Sequence, residues 1–358
     1  MKRVTITLTF LIFLNRLNAN ISNLVYRSEY EKVGDLIYDI NEIKEGSIVY
    51  SIDEGNENGH YNINSKNGEI RISSPIEDAY GVVHSDLLKV KAGVRTHEIK
   101  IVDGFDYVLS ILPKSFRVLS DHKEVFIDPN SKWTVFNNLW GKGTAVPNVD
   151  FRIAMIHEQK LPSTCILIWD VPGRARDFGG DAVWCYINVM WGNRSRLRED
   201  LPEFPLQIKN LNRLNFEFDW RQIYGDENFK IALNMFMTEQ PKLANMRKNR
   251  GDFFFVLDQI DTYIPPYPYT LPDIKIMGKP FVLRYNDDLD GEFYQRRRVI
   301  IKNDEKLMKG RVNIKSLLDI FINKNYLNPS EYIHNIQLGI EVTSGYGAVK
   351  FNRYNLDM

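Results

Sequence analysis

One carboxylate stands where the sequence otherwise indicates a half-buried strand. In the segment "HNIQLGIEV", residues 334–342, the apolar residues Ile336, Leu338 and Ile340 alternate with other residues, and Glu341 follows directly. A carboxylate in such a run costs free energy unless it is paired, hydrogen-bonded or hydrated. Glu341 is therefore either a solvated residue at the end of a strand or one half of a catalytic pair of carboxyl groups.

Paired carboxyl groups are the usual machinery for hydrolysing a glycosidic bond, and they stand about 5 Å apart in retaining enzymes. Such enzymes also hold sugar rings on aromatic side chains, because the faces of a pyranose are apolar. Two strand-like segments carry a suitable ring: Trp140 lies in "WTVFNNLWGKG" and Trp169 lies in "CILIWD". Without further support, each tryptophan is more typical of a protein core than of a sugar platform.

The bulk composition excludes several classes of function. The chain has 358 residues, with 46 basic and 46 acidic side chains and hence no net charge. A neutral chain has no overall field that would attract nucleic acid or an anionic membrane, so we expect neither as a partner. The six histidines show no metal-ligand spacing. The length is sufficient for two domains.

The first 19 residues have the pattern of a secretory signal peptide. Lys2 and Arg3 precede an apolar stretch, residues 4–14, and small residues suited to cleavage follow at 18–19. The apolar stretch is too short to span a bilayer. We therefore expect a secreted, extracellular protein without a membrane span.

The chain carries two cysteines, Cys165 and Cys185, both on apolar segments. In an exported protein two such residues could form one disulfide. Their apolar surroundings are equally typical of two buried free thiols. The sequence leaves both alternatives open.

Most of the chain consists of short apolar or alternating runs separated by Gly, Asn, Asp and Pro, which predicts an all-β fold. Residues 312–327 are the exception, because their apolar positions recur at helical spacing and Asn328-Pro329 ends the run. Residues 334–351 are typical of a β-hairpin, with the turn at 344–347.

The first module, residues 20–112, resembles a cadherin domain, which is an Ig-like sandwich. The matching residues are Tyr50, Ile52, Gly59, Tyr61, Ile63, Gly68 and Ile70. Cadherins bind calcium through clustered oxygen ligands, of which only Glu77 and Asp78 are available near the middle motif. We therefore expect a spacer without metal, and no cofactor. Residues 113–131 are predicted to be a linker.

Residues 132–358 resemble the family 12 glycoside hydrolases, the β-jelly-roll endoglucanases and xyloglucanases. The family motif Asn-Asn-Leu-Trp-Gly is intact at residues 137–141. The motif Gln-x-Gly-Thr-Glu is matched by Gln337, Gly339 and Glu341, with Ile340 in place of the threonine. The single helix expected at 312–327 precedes that motif, as it does in the family. The resemblance implies a larger jelly-roll sandwich with one helix.

The resemblance assigns roles to single residues. Glu341 corresponds to the acid/base, Trp140 to a sugar-stacking platform, and Asn138 to a polar contact beside that platform. Trp169 would lie on the neighbouring aromatic strand. The nucleophile strand is matched by "GDFFFVLDQ", residues 251–259, in which Phe254 replaces the nucleophilic glutamate.

Asp252 is a second carboxylate on the same face of that strand, about 6–7 Å from the lost position. This displacement is too large for a nucleophile with unchanged sugar placement. It would suit a base that activates water, since inverting pairs stand about 6.5–9.5 Å apart. Alternation also puts Asp258 on this face.

The sequence therefore predicts a secreted protein that recognises a β-linked polysaccharide of the β-glucan or xyloglucan type, with weakened or lost retaining catalysis. One alternative is an active endo-β-1,4-glucanase that uses Glu341 with Asp252 or another shifted carboxylate. A second alternative is a cell-surface adhesion protein whose cadherin-like module binds a surface or matrix partner.

Overall fold

The computed structural model describes residues 24–27, 35–40, 48–74, 76, 85–112, 115–119, 125–128, 131–158, 160–180, 183–193, 201–225, 228–241, 250–259, 269–276, 278–286, 295–302 and 306–358. The predicted signal peptide lies outside these residues. The chain divides into two compact units, residues 1–114 with 345–347 and residues 115–344 with 348–358. Within the described residues no helix is long and apolar enough to cross a membrane.

The described part of the first unit contains seven strands and one helix. They are β1 (Leu24–Arg27), β2 (Leu36–Asp39), β3 (Tyr50–Glu54), β4 (Tyr61–Ile63), β5 (Glu69–Ile72), β6 (Ser85–Ala92), β7 (Arg95–Asp103) and α1 (Gly104–Ser110). One sheet has the order β1-β7-β6-β3, with β1 parallel to β7, and the other has the order β2-β5-β4.

Three residues of the cadherin-like pattern lie in the core of the first unit. Tyr50, Tyr61 and Ile70 are 5%, 3% and 0% exposed. Gly68 precedes β5 with a φ of +78°, and a Cβ at this position would lie 3.0 Å from the Tyr50 ring. The turn therefore needs glycine for its backbone conformation and for space. These contacts explain why residues of these types stand at the positions of the cadherin-like pattern. The likeness to cadherins itself stays a prediction.

The second unit is built from two larger sheets, whose described elements are β8 (Phe116–Leu119), β9 (Val125–Ile127), β10 (Trp133–Phe136), β11 (Arg152–Glu158), β12 (Cys165–Val171), β13 (Cys185–Gly192), β14 (Leu206–Gln207), β15 (Asn215–Gly225), β16 (Phe229–Thr238), β17 (Arg250–Gln259), β18 (Tyr269–Ile276), β19 (Lys279–Asn286), β20 (Gln295–Lys302), β21 (Lys309–Asn313), α2 (Ile314–Asn323), β22 (Tyr332–Val342) and β23 (Gly345–Asp357). The ten-stranded sheet, called here the site sheet, has the order β18-β19-β20-β17-β16-β22-β13-β10-β9, and β14 pairs with β22. The six-stranded sheet, called the back sheet, has the order β21-β15-β23-β12-β11-β8. The predicted all-β fold with a larger jelly-roll sandwich is confirmed.

The two sheets of the second unit enclose one continuous apolar core. On β22 the residues Ile336, Leu338 and Ile340 are at most 1% exposed and point into this core. Because side chains alternate along a strand, the residues between them, and Glu341 after them, lie on the opposite face of the site sheet. The alternation read from the sequence therefore fixes which face carries Glu341.

The predicted helix exists as α2. The Asn313 side chain caps it by accepting a hydrogen bond from the Ser316 N–H at 3.1 Å. Its buried face carries Ile314, Leu317, Leu318 and Phe321. The Phe321 ring packs edge-on against Phe253 of β17, with centroids 5.6 Å apart. The helix thus supports the strand that carries Asp252 and Phe254.

Two local expectations are wrong. Residues 113–131 are not only a linker, because β8 pairs with β11 and β9 pairs with β10. The C-terminal segment is not a hairpin, because β22 belongs to the site sheet and β23 to the back sheet. Each of these two strands has one apolar face, and the two faces cover the core from opposite sides. The turn between them therefore passes from one sheet to the other.

Both cysteines are free and buried, which excludes the disulfide alternative in this structure. Burial raises the pKa of each thiol to about 12. The structure thus agrees with the second alternative, two buried free thiols.

Candidate functional site

Glu341 lies in a row of residues that crosses the site sheet. It is directly opposite Tyr186 on β13 and Lys230 on β16. The Tyr186 N–H donates to the Asn138 carbonyl at 2.9 Å, which continues the row by one more chain segment. Neighbouring strands lie about 4.8 Å apart, so Asn138 and Glu341 are about 10 Å apart across the sheet. Residues from both family-like motifs thus meet on one sheet.

The glycine of the Gln-x-Gly-x-Glu motif is required by the Tyr186 ring. The Tyr186 hydroxyl donates to the Ala232 carbonyl at 3.1 Å, so the side chain passes over β22 to reach β16. A Cβ on Gly339 would lie 2.8 Å from Cε2 of that ring and 2.5 Å from the Ile187 carbonyl oxygen. Only glycine leaves room for this crossing, two residues before Glu341.

The carboxylate of Glu341 forms an ion pair with Lys230. The two side chains are only 13% and 16% exposed, so this is not a loose surface pair. The same Lys230 Nζ lies over the Phe254 ring, 5.2 Å from its centroid. The Glu341 carboxylate and the Phe254 ring therefore both contact one ammonium group, although they lie on strands that are not neighbours.

Phe254 thus stands near the place where a second carboxyl group would face Glu341. The distance from the Glu341 oxygen to the ring centroid is at most 5.2 Å plus the length of one ion-pair contact. The carboxyl pair of a retaining glycosidase, about 5 Å apart, falls within this limit. A phenyl ring at this position offers no lone pair to a sugar.

Asp252 does not lie near Glu341. It is opposite Phe236 on β16, whereas Glu341 is opposite Lys230, six residues away on the same strand. Six residues of strand correspond to about 20 Å. Asp252 is also only 2% exposed. The structure therefore does not bring these two carboxylates together, and the expected Glu341–Asp252 pair is wrong.

Asp258 lies where the pairing of two strands of the site sheet is irregular. The pairing of β16 with β17 shifts register between Ile231 and Ala232. Asp258 is consequently opposite Ile231, which belongs to the core. Its carboxylate lies 3.6 Å from Lys306 Nζ. Asp258 therefore has a lysine partner of its own, which is not the Lys230 that contacts Glu341.

Buried amide side chains line the sheet between these residues. Asn188, Asn234 and Gln337 are at most 2% exposed, and the register places them on the face of Glu341. The side-chain carbonyl oxygen of each has no hydrogen-bond partner in the structure. Buried amide oxygens normally have partners, such as protein, water or ligand groups. These oxygens are not accessible to solvent, so they lie beneath the surface that a ligand would contact.

The Asn-Asn-Leu-Trp-Gly motif ties the site sheet to the back sheet. Asn137 donates to the Leu119 carbonyl of β8 at 3.2 Å, and Leu139 is fully buried. A Cβ on Gly141 would lie 1.8 Å from the Val183 carbonyl oxygen. Trp140 is 47% exposed between these fixed neighbours. The motif thus presents one indole ring to solvent from a rigid frame.

Trp169 does not contribute to this surface. It lies on β12 of the back sheet and is 0% exposed. Its ring packs against Phe229 with centroids 5.3 Å apart. The ring therefore belongs to the core between the sheets, as its apolar sequence context alone would indicate. Trp169 is not part of the candidate site.

Sequence reasoning missed Lys230 and Tyr186. Lys230 stands in the run "FKIALNMFM", where one lysine in an apolar strand was a usable signal, as Glu341 was. Its partner could be found only from the strand register.

Among the described residues no group of three or more His, Cys, Asp or Glu side chains could hold a metal ion.

Similarity to solved structures agrees with this architecture. The native family 12 xyloglucanase from Bacillus licheniformis is 15% identical and has a TM-score of 0.57, over 67% of this chain and 99% of that one. Endoglucanase 3 of family GH12 from Trichoderma harzianum is 17% identical, with a TM-score of 0.53 over 69% and 99%. The chain has the family 12 fold. Endoglucanase Cel12A from Rhodothermus marinus is similar at 13% identity, with a TM-score of 0.52 over 67% and 97%.

No protein-family model matches the sequence, and no curated protein matches it either. At these identities the solved structures establish the fold alone. The family 12 fold covers about two thirds of the chain.

Proposed function

We propose that the second unit binds a β-linked glucan on the face of Glu341 and Trp140, and that its retaining hydrolysis is weakened or lost. The observation that carries the proposal is the contact of one ammonium group, that of Lys230, with both the Glu341 carboxylate and the Phe254 ring. A retaining reaction needs a carboxylate on each side of the scissile bond. Here one side offers a carboxylate in an ion pair and the other a phenyl ring.

The class of ligand is inferred from the fold and the surface. The similar structures are a xyloglucanase and endoglucanases. Trp140 has an exposed ring in the same motif as Asn138, and indole rings stack well on the apolar faces of sugars. Asn138 lies in the row of Glu341 and would contribute a polar contact. The buried amide side chains of Asn234 and Gln337 form the floor beneath this surface.

The active alternative loses its proposed second carboxylate. Asp252 is about 20 Å from the row of Glu341 along the strand direction, which exceeds the spacing of either kind of glycosidase pair. We therefore propose recognition without efficient cleavage.

The place where the protein would meet its ligand is inferred from the signal-peptide pattern at the N-terminus. A signal peptide at residues 1–19 would export the chain to where plant or microbial polysaccharides occur. The first unit would then be a cadherin-like spacer, with the adhesion role as a further use of that unit. Calcium-dependent melting of the protein would support that adhesion role, since a bound ion stabilises the folded state.

Two assays on the same glucans test the proposal. The protein is incubated with xyloglucan, barley β-glucan and soluble cellulose, and released reducing ends are measured. Affinity electrophoresis in gels that contain these polymers measures binding. We expect slower migration of the wild type, normal migration of Trp140→Ala, and no release of reducing ends above background.

The variant Glu341→Gln separates catalysis from contamination. Its matched control is Glu217→Gln, a change of the same type on the back sheet, where Glu217 pairs with Arg353. Release of reducing ends that is abolished by Glu341→Gln and retained by Glu217→Gln would refute the loss of catalysis. Unchanged migration of every form on all three glucans would refute the binding.

A further inference from the structure

Lys230 occupies the middle of the candidate site. It lies on β16, between the strand of Glu341 and the strand of Phe254. Its ammonium pairs with Glu341, and it lies 5.2 Å from the centroid of the Phe254 ring. Its side chain is 16% exposed, so water screens the pair less than it would on an open surface.

We propose that Lys230 is a positioning residue that holds the site inactive together with Phe254, by engaging Glu341 and covering the position of residue 254. The inference rests on the proposed function, because it concerns the same site. It goes further, since loss of the nucleophile alone would leave Glu341 available, whereas the lysine also withdraws the remaining carboxylate.

The chemistry explains why both changes matter. With a glutamate at position 254, its carboxylate would bond to the anomeric carbon while the bond from that carbon to the leaving oxygen breaks. Glu341 would give its proton to that oxygen. Water would then bond to the anomeric carbon, return a proton to Glu341 and release the carboxylate at 254. An ammonium between the two carboxylates would bridge them, so that neither carboxylate would act on the bound sugar.

The structure therefore predicts that restoring a carboxylate is not enough. A glutamate placed at 254 alone would become a second partner of the Lys230 ammonium, because opposite charges attract strongly where water is limited. Removal of the lysine would free both carboxyl groups at once. The activity gained by the double variant should therefore exceed the sum of the gains in the two single variants.

Four variants test this prediction with barley β-glucan and a reducing-end assay: Phe254→Glu, Lys230→Ala, the double variant Phe254→Glu/Lys230→Ala, and Phe254→Glu/Lys230→Arg, which keeps the cation. We expect the double variant with alanine to release reducing ends at least tenfold faster than any other form. The variant with arginine should remain at the level of Phe254→Glu. Addition of Glu341→Gln to the active double variant should abolish the gain.

Controls keep each outcome informative. All six tryptophans lie in the second unit, so their fluorescence shows whether each variant is folded. If Lys230→Ala unfolds, Lys230→Met keeps the apolar stem and replaces it in every comparison. Equal activity of Phe254→Glu and the double variant would overturn the role of Lys230. A folded double variant that binds β-glucan without cleaving it would also overturn it, whereas loss of binding in all forms, wild type included, would refute the proposed function itself.

Discussion

Substitution of Gly339 by alanine tests how the strand of Glu341 is built. The new Cβ would lie 2.5 Å from the Ile187 carbonyl oxygen and 2.8 Å from both Asn188 Cβ and Tyr186 Cε2. The tyrosine ring can move, but the carbonyl belongs to the hydrogen-bonded ladder between β13 and β22. The variant must therefore shift the two strands apart and also displace the ring.

The expected destabilisation is the sum of two effects. Overpacking of this kind costs about 1–3 kcal/mol. Displacement of the Tyr186 ring would also break the hydrogen bond from its hydroxyl to the Ala232 carbonyl, for about 1 kcal/mol more. We expect a total loss of about 2–4 kcal/mol. With a urea slope of about 2 kcal/mol per molar, the midpoint should fall by about 1–2 M.

Urea denaturation followed by tryptophan fluorescence measures this loss in the second unit alone, because all six tryptophans lie there. The matched control is Gly173→Ala, whose Cβ would meet only one side-chain oxygen of Asp177, at 3.3 Å, and no backbone atom. The control should stay within about 0.5 kcal/mol of the wild type. A Gly339→Ala variant that is as stable as the control would refute the close approach of Tyr186 to β22.

Three further predictions concern separate parts of the second unit. Trp140→Ala should weaken β-glucan binding five- to thirtyfold, which is about 1–2 kcal/mol, as measured by titration calorimetry. The urea midpoint should change little, since the ring is 47% exposed. Cys165 and Cys185 should not react with Ellman's reagent at pH 8 until urea unfolds the protein, because burial raises the pKa of both thiols to about 12; fast reaction of the native protein would contradict their burial. Burial lowers the pKa of His334 to about 4, so the unfolded chain takes up a proton at a higher pH than the folded one. Stability should therefore fall as the pH decreases from about 6.5 to about 4, and less so in His334→Gln, as urea midpoints across this range would reveal.

The sequence predicted those features that depend on residues near one another in the chain. Alternation in residues 334–342 predicted which face of β22 is buried, and helical spacing with Asn328-Pro329 predicted α2. The glycines of both motifs are explained by contacts with a backbone carbonyl, which a fixed short motif can encode. In these places local pattern and tertiary packing favour the same conformation.

Other features depend on pairing between distant strands and were not predictable in this way. A register shift beside Ile231 decides which residue of β16 is opposite Asp258. The ion pair of Lys230 with Glu341 exists because β16 and β22 are neighbours in a particular register. Trp169 is core because the back sheet turns it towards Phe229. β23 belongs to the back sheet and not to the sheet of β22, because the two strands cover the apolar core from opposite sides.

The central claim is that the face of Glu341 and Trp140 holds a glucan and does not cleave it. The most direct measurement is a crystal structure of the protein soaked with a xyloglucan or β-glucan oligosaccharide. We predict an intact oligosaccharide across this face, with a sugar ring on Trp140 and the Lys230–Glu341 pair and the Phe254 ring beside an unbroken linkage. A cleaved oligosaccharide, a sugar bonded to a carboxylate, or binding elsewhere on the protein would contradict the account.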